Sequence, residues 1–479
     1  MAKSSPSPVD AEPVARRKGR KAVSAAERSE DKTDLLGERS VELSRFYAGK
    51  IETVPKVPVR SLGDFALWYT PGVAAVSRAI QADPDRSFDL TGRWNTIAII
   101  TDGSRVLGLG DIGPTAALPV MEGKALLFKV LGGVDAIPVP IRVRSPEEFI
   151  STVEAVAPAF GGINLEDIAS PKCFGILEEL SKRLSIPVWH DDQLGTAAAT
   201  VAGLLNALAL THRSVEEIRT VLLGAGAANL VTARLLLKLG HPAESLTVVD
   251  QKGVLHAERE DMDELELHNP WKFRIALATD GGGRTGDLTA AVEGADVLLA
   301  ASTPNPDTVR PLHVRSMAKN PIVFALANPV PEIWPEVAKA AGAAIVATGR
   351  SDFPNQVNNS LIFPAVFRGV LDARARSIPD EVVLAAAKEL ARGAARKGLT
   401  ASHLLPTMEE SEVFPEIAAA VGDMAVLLGI ARRKLSHEEF LERAKTLMGR
   451  PAELVRALAR AHLTPPMPPT NHRRRKSPT

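Results

Sequence analysis

The chain has 479 residues, 45% of them hydrophobic and 24% charged, and the 57 lysines and arginines balance the 57 aspartates and glutamates. That length suits two or three domains rather than one. The zero formal net charge excludes a global electrostatic argument for binding nucleic acid or a membrane surface. Cys173 is the only cysteine, so no intramolecular disulfide can form, and we expect a buried free thiol in a reducing, cytoplasmic compartment. The N-terminus lacks the apolar segment of a secretory signal, and no stretch makes a convincing membrane span.

Both ends of the chain have the composition of solvated tails. Residues 1–35 are rich in serine, proline, alanine and charge, with a basic cluster at 16–21, and they predict a disordered basic arm. Residues 465–479 hold prolines and the basic run 473–476, and they predict a basic tail. Basic tails can bind nucleic acid or acidic partners, but a solvated tail is the favoured interpretation, and we expect no nucleic-acid partner.

Between the tails, short runs rich in β-branched residues alternate with segments of helical period. The predicted strands are 96–100, 136–141, 186–190, 220–223, 246–250, 297–300, 322–326 and 344–347. These runs do not alternate cleanly between apolar and polar residues, so we expect them to be buried on both faces of parallel sheets. Helical patterns such as 201–210 and 229–239 separate them, which predicts an α/β fold. From Pro379 onward the pattern is almost entirely helical, clearest at 381–392 and 435–448, with Ser436 as an N-cap.

Three basic or phenolic side chains in the first half of the chain are candidates for chemistry. Tyr69 lies in a turn-rich segment and is one of only two tyrosines. Arg105 follows a predicted buried strand and could clamp a carboxylate through two hydrogen bonds. Lys124 enters an apolar helical segment, where a lysine either extends to solvent or is functional. Each of these residues alone is more often structural than catalytic.

Two acidic pairs follow in the chain, Glu166-Asp167 and Asp191-Asp192. The second pair comes directly after a predicted strand, where open α/β sheets bind ligands. Converging carboxylates favour a hard divalent cation, Mg²⁺ or Mn²⁺. Adjacent acids on a solvated surface are the alternative, but both pairs lie among apolar and glycine residues with few basic neighbours.

A dinucleotide-binding pattern occupies residues 221–250. Its glycine turn comprises Gly224, Ala225, Gly226, Ala227 and Ala228, which follow one predicted strand and begin a helix. Gly224 permits the turn, and Gly226 lets a pyrophosphate approach the helix N-terminus. Asn229 stands where the pattern has its third glycine, so we expect helix and strand to be pushed slightly apart. A structural turn without a ligand is the alternative.

The acid at the end of the second strand bears on the choice between NAD and NADP. Asp250 can accept hydrogen bonds from a ribose diol and would repel the 2′-phosphate of NADP. Lys252, two residues on, could neutralise that phosphate. The sequence therefore predicts a dinucleotide cofactor and leaves NAD and NADP both open.

Taken together, these segments resemble the malic enzymes, in particular the compact bacterial type. The resemblance covers roughly residues 40 to 435, and its motifs occur in the family's order at 47–52, 55–59, 69–73, 106–113, 120–124, 160–167, 190–193, 224–228, 322–329, 347–352 and 354–359. It implies an N-terminal α/β catalytic domain at 36–195, a Rossmann-type NAD(P)-binding domain at 196–375 and C-terminal helices at 376–464 that pack on the body. It also implies a homodimer or higher homo-oligomer that oxidises and decarboxylates L-malate to pyruvate and carbon dioxide.

The resemblance further implies roles for individual residues. Metal ligands, binding Mg²⁺ or Mn²⁺, would be Glu166, Asp167 and Asp192. The general base would be Lys124, with its pKa lowered by burial or the cation and with Asp191 assisting it, and Tyr69 would protonate C3 of the enolpyruvate. Substrate-binding groups would be Arg105, Asn328, Asn358 and Asn359, and Asn328 would also contact the cofactor.

Departures from the family pattern keep other functions open. Trp68 precedes the tyrosine where a small residue is usual, and Leu194 stands where compact forms often carry histidine. The alternatives are an oxaloacetate decarboxylase, an oxidoreductase for a related 2-hydroxy acid, and a catalytically weak regulatory protein on the same fold. A nucleic-acid-binding role for the basic tails is a further alternative.

Overall fold

The computed structural model describes residues 25–469, so most of the predicted basic arm and basic tail lies outside the described residues. The described chain divides into two compact units, one of residues 25–50 with 465–469 and one of Ile51–Thr464. In the smaller unit, helix α1 (Ala25–Tyr47) begins within the segment predicted as an arm. The Tyr47 hydroxyl donates a hydrogen bond to the carbonyl of Pro465 over 3.2 Å, which joins the two ends of this unit.

The larger unit begins with a four-stranded parallel sheet. Its strands are β1 (Thr96–Thr101), β2 (Asp135–Pro140), β3 (Gly162–Leu165) and β4 (Val188–His190), in the order β2-β1-β3-β4. The helices of this part are α2 (Phe65–Trp68), α3 (Val73–Ala82), α4 (Ser87–Leu90), α5 (Gly113–Gly132), α6 (Pro146–Val156) and α7 (Lys172–Arg183). The pattern did not predict β3, which is only four residues long. The prediction that strands are buried on both faces is wrong for β2, because this strand lies at the edge of the sheet.

A second sheet of six strands carries the glycine turn. Its strands are β5 (Thr220–Leu223), β6 (Leu246–Asp250), β7 (Gly253–Val254), β8 (Val297–Ala300), β9 (Ile322–Ala325) and β10 (Ile345–Thr348). The spatial order is β10-β9-β8-β5-β6-β7, and every pairing is parallel except that of β6 with β7. The next strand along the chain, β6, lies on one side of β5, and the later strand β8 lies on the other side. This reversal of direction opens a ligand crevice at the carboxyl ends of β5 and β8.

Helices cover the second sheet and complete the C-terminal part. Those of the sheet region are α8 (Thr196–Leu210), α9 (Ala227–Lys238), α10 (Met262–His268), α11 (Pro270–Thr279), α12 (Leu288–Val292), α13 (Pro311–Ser316) and α14 (Pro335–Ala340). The C-terminal helices are α15 (Phe363–Asp372), α16 (Asp380–Lys397), α17 (Val413–Leu427) and α18 (His437–Arg460). The predicted N-cap of α18 is confirmed, because the Ser436 hydroxyl accepts from the backbone N–H of Glu439. The α/β fold class with parallel sheets is confirmed.

One apolar helical stretch, Asp191–Leu210, is long enough by length and composition to cross a membrane. Most of it is buried inside the protein, with 78% of its most apolar window covered. A core helix of a globular protein meets the same criteria, so the stretch is weak support for a membrane span. It contains a π turn at Asp191–Gly195, which leads from β4 into α8.

Candidate active site

Four acidic residues gather at the carboxyl ends of two adjacent parallel strands. Glu166 and Asp167 follow β3, and Asp191 and Asp192 follow β4. The register pairs Leu165 with His190, so the residues that come next in each strand emerge side by side. The sheet therefore brings together two acidic pairs that lie about 25 residues apart in the sequence.

Lys124 reaches this group from the buried face of helix α5. Met121, Ala125 and Phe128 lie on the same face and are buried, and Lys124 itself is only 9% exposed. Its Nζ lies 2.5 Å from Asp191 Oδ2 and 2.9 Å from Glu166 Oε1. The structure thus joins the predicted base, its predicted acidic partner and one predicted metal ligand in a single buried ion-pair network.

Burial and charge oppose each other at Lys124. Burial lowers the pKa of the ammonium, but the attraction of Asp191 and Glu166 outweighs it and raises the pKa above the ordinary value. In this arrangement the two carboxylates hold the proton on Lys124. The expectation that burial or a bound cation lowers this pKa stays a prediction, because burial alone acts against the carboxylates here. Burial, followed by repulsion from Asp191, Asp192 and Asp167, raises the pKa of Glu166 despite the opposing pull of Lys124.

The three predicted metal ligands fit a divalent cation. Glu166, Asp167 and Asp192 each offer a carboxylate oxygen, and these oxygens all lie within 4.8 Å of one another. Asp167 has a positive φ of 53°, and its backbone N–H donates to Asp192 Oδ2 over 3.0 Å, which holds the two acids together. Two of the three side chains are buried, where unshared negative charge is costly, and oxygen ligands are what Mg²⁺ and Mn²⁺ prefer.

Supporting residues that the sequence did not single out hold the carboxylates in place. The Asn164 amide donates to Glu166 Oε2 over 2.8 Å, and the Trp189 indole N–H donates to Asp191 Oδ1 over 3.0 Å. Each lies in its strand, two residues before the acid that it holds and that follows the strand. At Gly195, a Cβ atom would lie 2.0 Å from Asp191 Oδ1, so a side chain there would displace that carboxylate.

The predicted substrate-binding residues lie at different depths. Arg105 is exposed, and its backbone N–H donates to the carbonyl of Asp167 over 3.0 Å, which places it beside the metal ligands. Asn328 is exposed after β9. Asn358 and Asn359 are half-buried, and Asn358 Oδ1 accepts from the backbone N–H of Ser360. The Cβ of Asn359 lies 3.0 Å from the position that a Cβ at Gly195 would take.

Tyr69 stands apart from this network. Its side chain is 68% exposed, and its hydroxyl has no hydrogen bond to any residue that the structure describes. Neighbouring apolar side chains share this exposure: Leu62 is 88% exposed, Leu67 70% and Trp68 47%. Helices α2 and α3 contain no buried residue at all. Among the described residues, Tyr69 is therefore not part of the buried hydrogen-bonded network of Lys124, Asp191 and Glu166.

The glycine turn is shaped for a ligand at the β5–β8 crevice. Gly224 has a φ of +97°, and a Cβ there would lie 2.4 Å from the carbonyl of Ala301. Gly226 caps helix α9, and a Cβ there would meet nothing within 4 Å, which leaves space for a pyrophosphate. Ala225 is buried, while Ala227 and Ala228 are half-buried in the first turn of the helix.

Asn229 has a bonding role that the glycine pattern did not predict. Its buried amide donates to the carbonyl of Leu223 over 2.8 Å and to that of Leu299 over 3.4 Å. These carbonyls belong to β5 and β8, so the asparagine ties the helix to both strands at the crevice. The expectation that this side chain pushes helix and strand slightly apart stays a prediction, because these hydrogen bonds do not measure the separation.

Asp250 and Lys252 are both engaged with other residues. Asp250 accepts from Arg259 over 3.0 Å and from Lys272 over 2.9 Å, and its side chain is 8% exposed. Burial raises the pKa of Asp250, but these two cations outweigh it and lower the pKa. The ammonium of Lys252 lies 3.0 Å from Asp261 and 3.3 Å from Glu264, and the backbone N–H of Lys252 donates to Asp250.

Two family models match most of this chain. The malic enzyme N-terminal domain matches residues 48–181, and the malic enzyme NAD-binding domain matches residues 194–426. The first match contains Tyr69, Lys124 and the Glu166–Asp167 pair, and the second contains the glycine turn. A dinucleotide-binding domain of this family is therefore present.

Relatives with similar sequences carry related names. The NAD-dependent malic enzyme of Geobacillus stearothermophilus is 46% identical over 80% of this chain and 78% of its own length. The bifunctional malic/malolactic enzyme of Bacillus subtilis is 44% identical over 86% and 98%, and the NADP-dependent malic enzyme of Halomonas elongata is 44% identical over 80% and 92%.

Solved structures agree with the sequence comparison. The malic enzyme of Entamoeba histolytica superposes with a TM-score of 0.89 at 40% identity, covering 94% of this chain and 93% of its own. That of Pyrococcus horikoshii superposes with a TM-score of 0.84 at 44% identity, covering 88% and 98%. With two domain models, close relatives and matching folds in agreement, the chain belongs to the malic enzyme family.

Proposed function

We propose that this enzyme oxidises and decarboxylates L-malate to pyruvate and carbon dioxide while reducing NAD or NADP, and that it requires a divalent metal. The observation that carries the proposal is the buried ammonium of Lys124 between Asp191 and Glu166, beside three converging carboxylates. The relatives' names agree, since they describe malic enzymes of both cofactor types.

In this proposal Glu166, Asp167 and Asp192 hold Mg²⁺ or Mn²⁺. A bound cation supplies polarisation of the oxygen on C2 of the substrate. Arg105, Asn328, Asn358 and Asn359 bind the carboxylates and hydroxyl of malate. Arginine suits this task because its planar fork matches a carboxylate.

Lys124 accepts the proton of the C2 hydroxyl as hydride leaves for the nicotinamide. The amine must be neutral to do this, yet two carboxylates hold its proton in the arrangement described. If the Glu166 carboxylate bound the divalent cation instead, Lys124 would lose one of those two attractions. Burial would then lower the pKa of Lys124 more effectively. Asp191 keeps the amine in position, because the Trp189 indole fixes its other oxygen.

Tyr69 protonates C3 of the enolpyruvate in this proposal, which requires a site closed to bulk water. We propose that the enzyme is a homodimer in which a second copy covers the exposed apolar surface of Leu62, Phe65, Leu67, Trp68 and Tyr69. Exposed apolar residues that lie this close together mark an interaction site. The same contact would shelter the Tyr69 hydroxyl.

We also propose the division into a catalytic domain at 36–195, a dinucleotide domain at 196–375 and C-terminal helices at 376–464. The two separate parallel sheets support it. We also propose that the protein is located in the cytoplasm. The buried, free Cys173 supports it, with a thiol pKa raised to about 12 by burial.

The first prediction concerns the base. Lys124→Ala should lower kcat for malate oxidation by at least a factor of about 100, the lower range of general acid–base catalysis, while metal affinity is largely retained. Lys129→Ala is the matched control, because Lys129 lies on the same helix and pairs with Asp135 at a partly exposed site. Near-normal turnover in Lys124→Ala would refute the assignment.

The second prediction concerns the metal ligands. Asp192→Asn should weaken Mn²⁺ binding by about tenfold or more in a calorimetric titration, and exposed Asp263→Asn should leave it unchanged. Because the pKa of Glu166 is raised and only the carboxylate binds metal, affinity should fall as pH drops through that raised pKa, with proton release on binding. A wild-type titration curve in Asp192→Asn would exclude that ligand.

The third prediction concerns cofactor choice. We propose a preference for NAD, because Asp250 occupies the two cations, Arg259 and Lys272, that could otherwise bind a 2′-phosphate. Asp250→Asn should shift the ratio of kcat/KM for NADP over NAD upward by about tenfold, or ~1.4 kcal/mol. Lys252→Gln should leave the ratio unchanged, since its ammonium is held by Asp261 and Glu264. The opposite pattern would assign the choice to Lys252.

The fourth prediction concerns assembly. Sedimentation should give one species of twice the 51.0 kDa chain mass. Leu67→Asp should shift it to monomer and lower activity, because it places a charge in the proposed contact, while Leu267→Asp, at an equally exposed leucine of α10, should do neither. A wild-type monomer with full activity would contradict the proposal.

A further inference from the structure

Arginines from distant parts of the chain gather around the buried ring of Phe88 in helix α4. The guanidinium carbons of Arg93, Arg432 and Arg374 lie 4.3, 5.4 and 5.8 Å from the centre of that ring. The arginine cluster comprises Arg93, Arg374, Arg376, Arg432 and Arg433. It shares no residue with the Lys124 network or the glycine turn.

The arginine cluster carries more positive charge than its neighbours balance. Asp89 pairs with Arg374 and, at 3.7 Å, with Arg433, while Asp85 lies 3.5 Å from Arg432. Both aspartates are more than half exposed, at 53% and 59%, whereas the side chains of Arg374 and Arg432 are only 13% and 11% exposed. Five guanidinium groups thus face two solvated carboxylates. The buried Asp372 also attracts Arg433, but it is already paired with Arg368 and Arg443.

Burial and mutual repulsion both disfavour the charged forms of these arginines. Burial lowers the pKa of Arg432, and Arg376, Arg93 and Arg374 lower it further against the pull of Asp85. Burial followed by Arg374 likewise lowers the pKa of Arg433. A purely structural ion-pair network would compensate these charges more fully.

Two donors in the cluster are also poorly satisfied. The buried Nε of Arg374 makes no hydrogen bond with any residue that the structure describes. The buried Nε of Arg432 has only a long contact of 3.5 Å with Asp85 Oδ1, which is too poorly placed to be a hydrogen bond. The other donors of Arg432 are spent on the carbonyls of Ser185 and Arg374, and those of Arg374 on Asp89 and Phe88. A buried donor left unsatisfied costs free energy that an added acceptor would recover.

We propose that the arginine cluster is a binding site for a small dianion, either a phosphate monoester or a dicarboxylate, separate from the catalytic site. An anion of charge −2 would offset most of the local excess and supply acceptors. Guanidinium groups match both oxyanions through paired hydrogen bonds, and their contact with Phe88 orients them beforehand. Arg376 is exposed and Arg433 is 30% exposed, so a ligand can approach from solvent.

The test measures anion binding to the full chain without metal or nicotinamide cofactor, at constant ionic strength. Orthophosphate above its second pKa and succinate are the two probes, titrated by calorimetry and by thermal unfolding. The double variant Arg376→Gln/Arg433→Gln removes two accessible charges with only one long ion pair. The matched control is Arg456→Gln/Arg460→Gln, two exposed arginines of α18 with the same change in charge.

We expect the double variant to bind at least one probe at least tenfold more weakly and to lose that probe's effect on the unfolding temperature. Wild-type binding is expected to persist in the control. Sensitivity to phosphate alone assigns a phosphate monoester, and sensitivity to succinate alone assigns a dicarboxylate. The proposal is overturned if neither probe binds, if both bind the double variant normally, or if the variant changes the assembly mass instead.

Discussion

The chemistry of this protein depends on one buried ammonium group shared by two carboxylates. Lys124 sits 2.5 Å from Asp191 and 2.9 Å from Glu166, at a point where neither sign of charge could be buried alone. Because the two acids compete for one cation, any change in the engagement of Glu166 changes the proton affinity of Lys124. Lys124, which is protonated while both carboxylates hold it, can therefore become a base when Glu166 is engaged by another partner.

The two parallel sheets explain why the reacting groups can meet. Glu166 and Asp191 leave adjacent strands at the same edge, and helix α5 crosses to bring Lys124 to them. In the second sheet the strand order reverses at β5 and β8, and the carbonyl of Ala301 lies so close to Gly224 that only a glycine fits there. Asn229 fixes the helix at the same edge through two strand carbonyls.

Strongly patterned elements could be predicted from the sequence, and the parts that failed have physical reasons. Strands β5, β6 and β8 matched their predicted bounds because each is a short, mostly apolar run rich in residues that favour β-strands. Strand β3 was missed because its four residues, which begin with glycine and include an asparagine, are too few to show a period. The acids and Lys124 could be singled out as residue types, but their contact depends on strand order, which local pattern does not encode.

Other features depend on contacts between residues far apart in the chain. Nothing near Asp250 in the sequence shows that Lys272 neutralises it, and the arginine cluster joins residues separated by more than 300 positions. The exposure of Tyr69 is a property of the folded chain that its turn-rich segment could not reveal. Gly195 likewise matters only because the π turn folds it against Asp191.

The most direct test of this account follows nicotinamide reduction by absorbance with L-malate, Mn²⁺ and either NAD or NADP, with and without a chelator. We expect reduction that the chelator abolishes, with pyruvate formed in equal amount to the reduced cofactor. Absence of reduction with both cofactors, in a folded sample that binds metal, would contradict it and favour a different 2-hydroxy acid or a regulatory protein on the same fold.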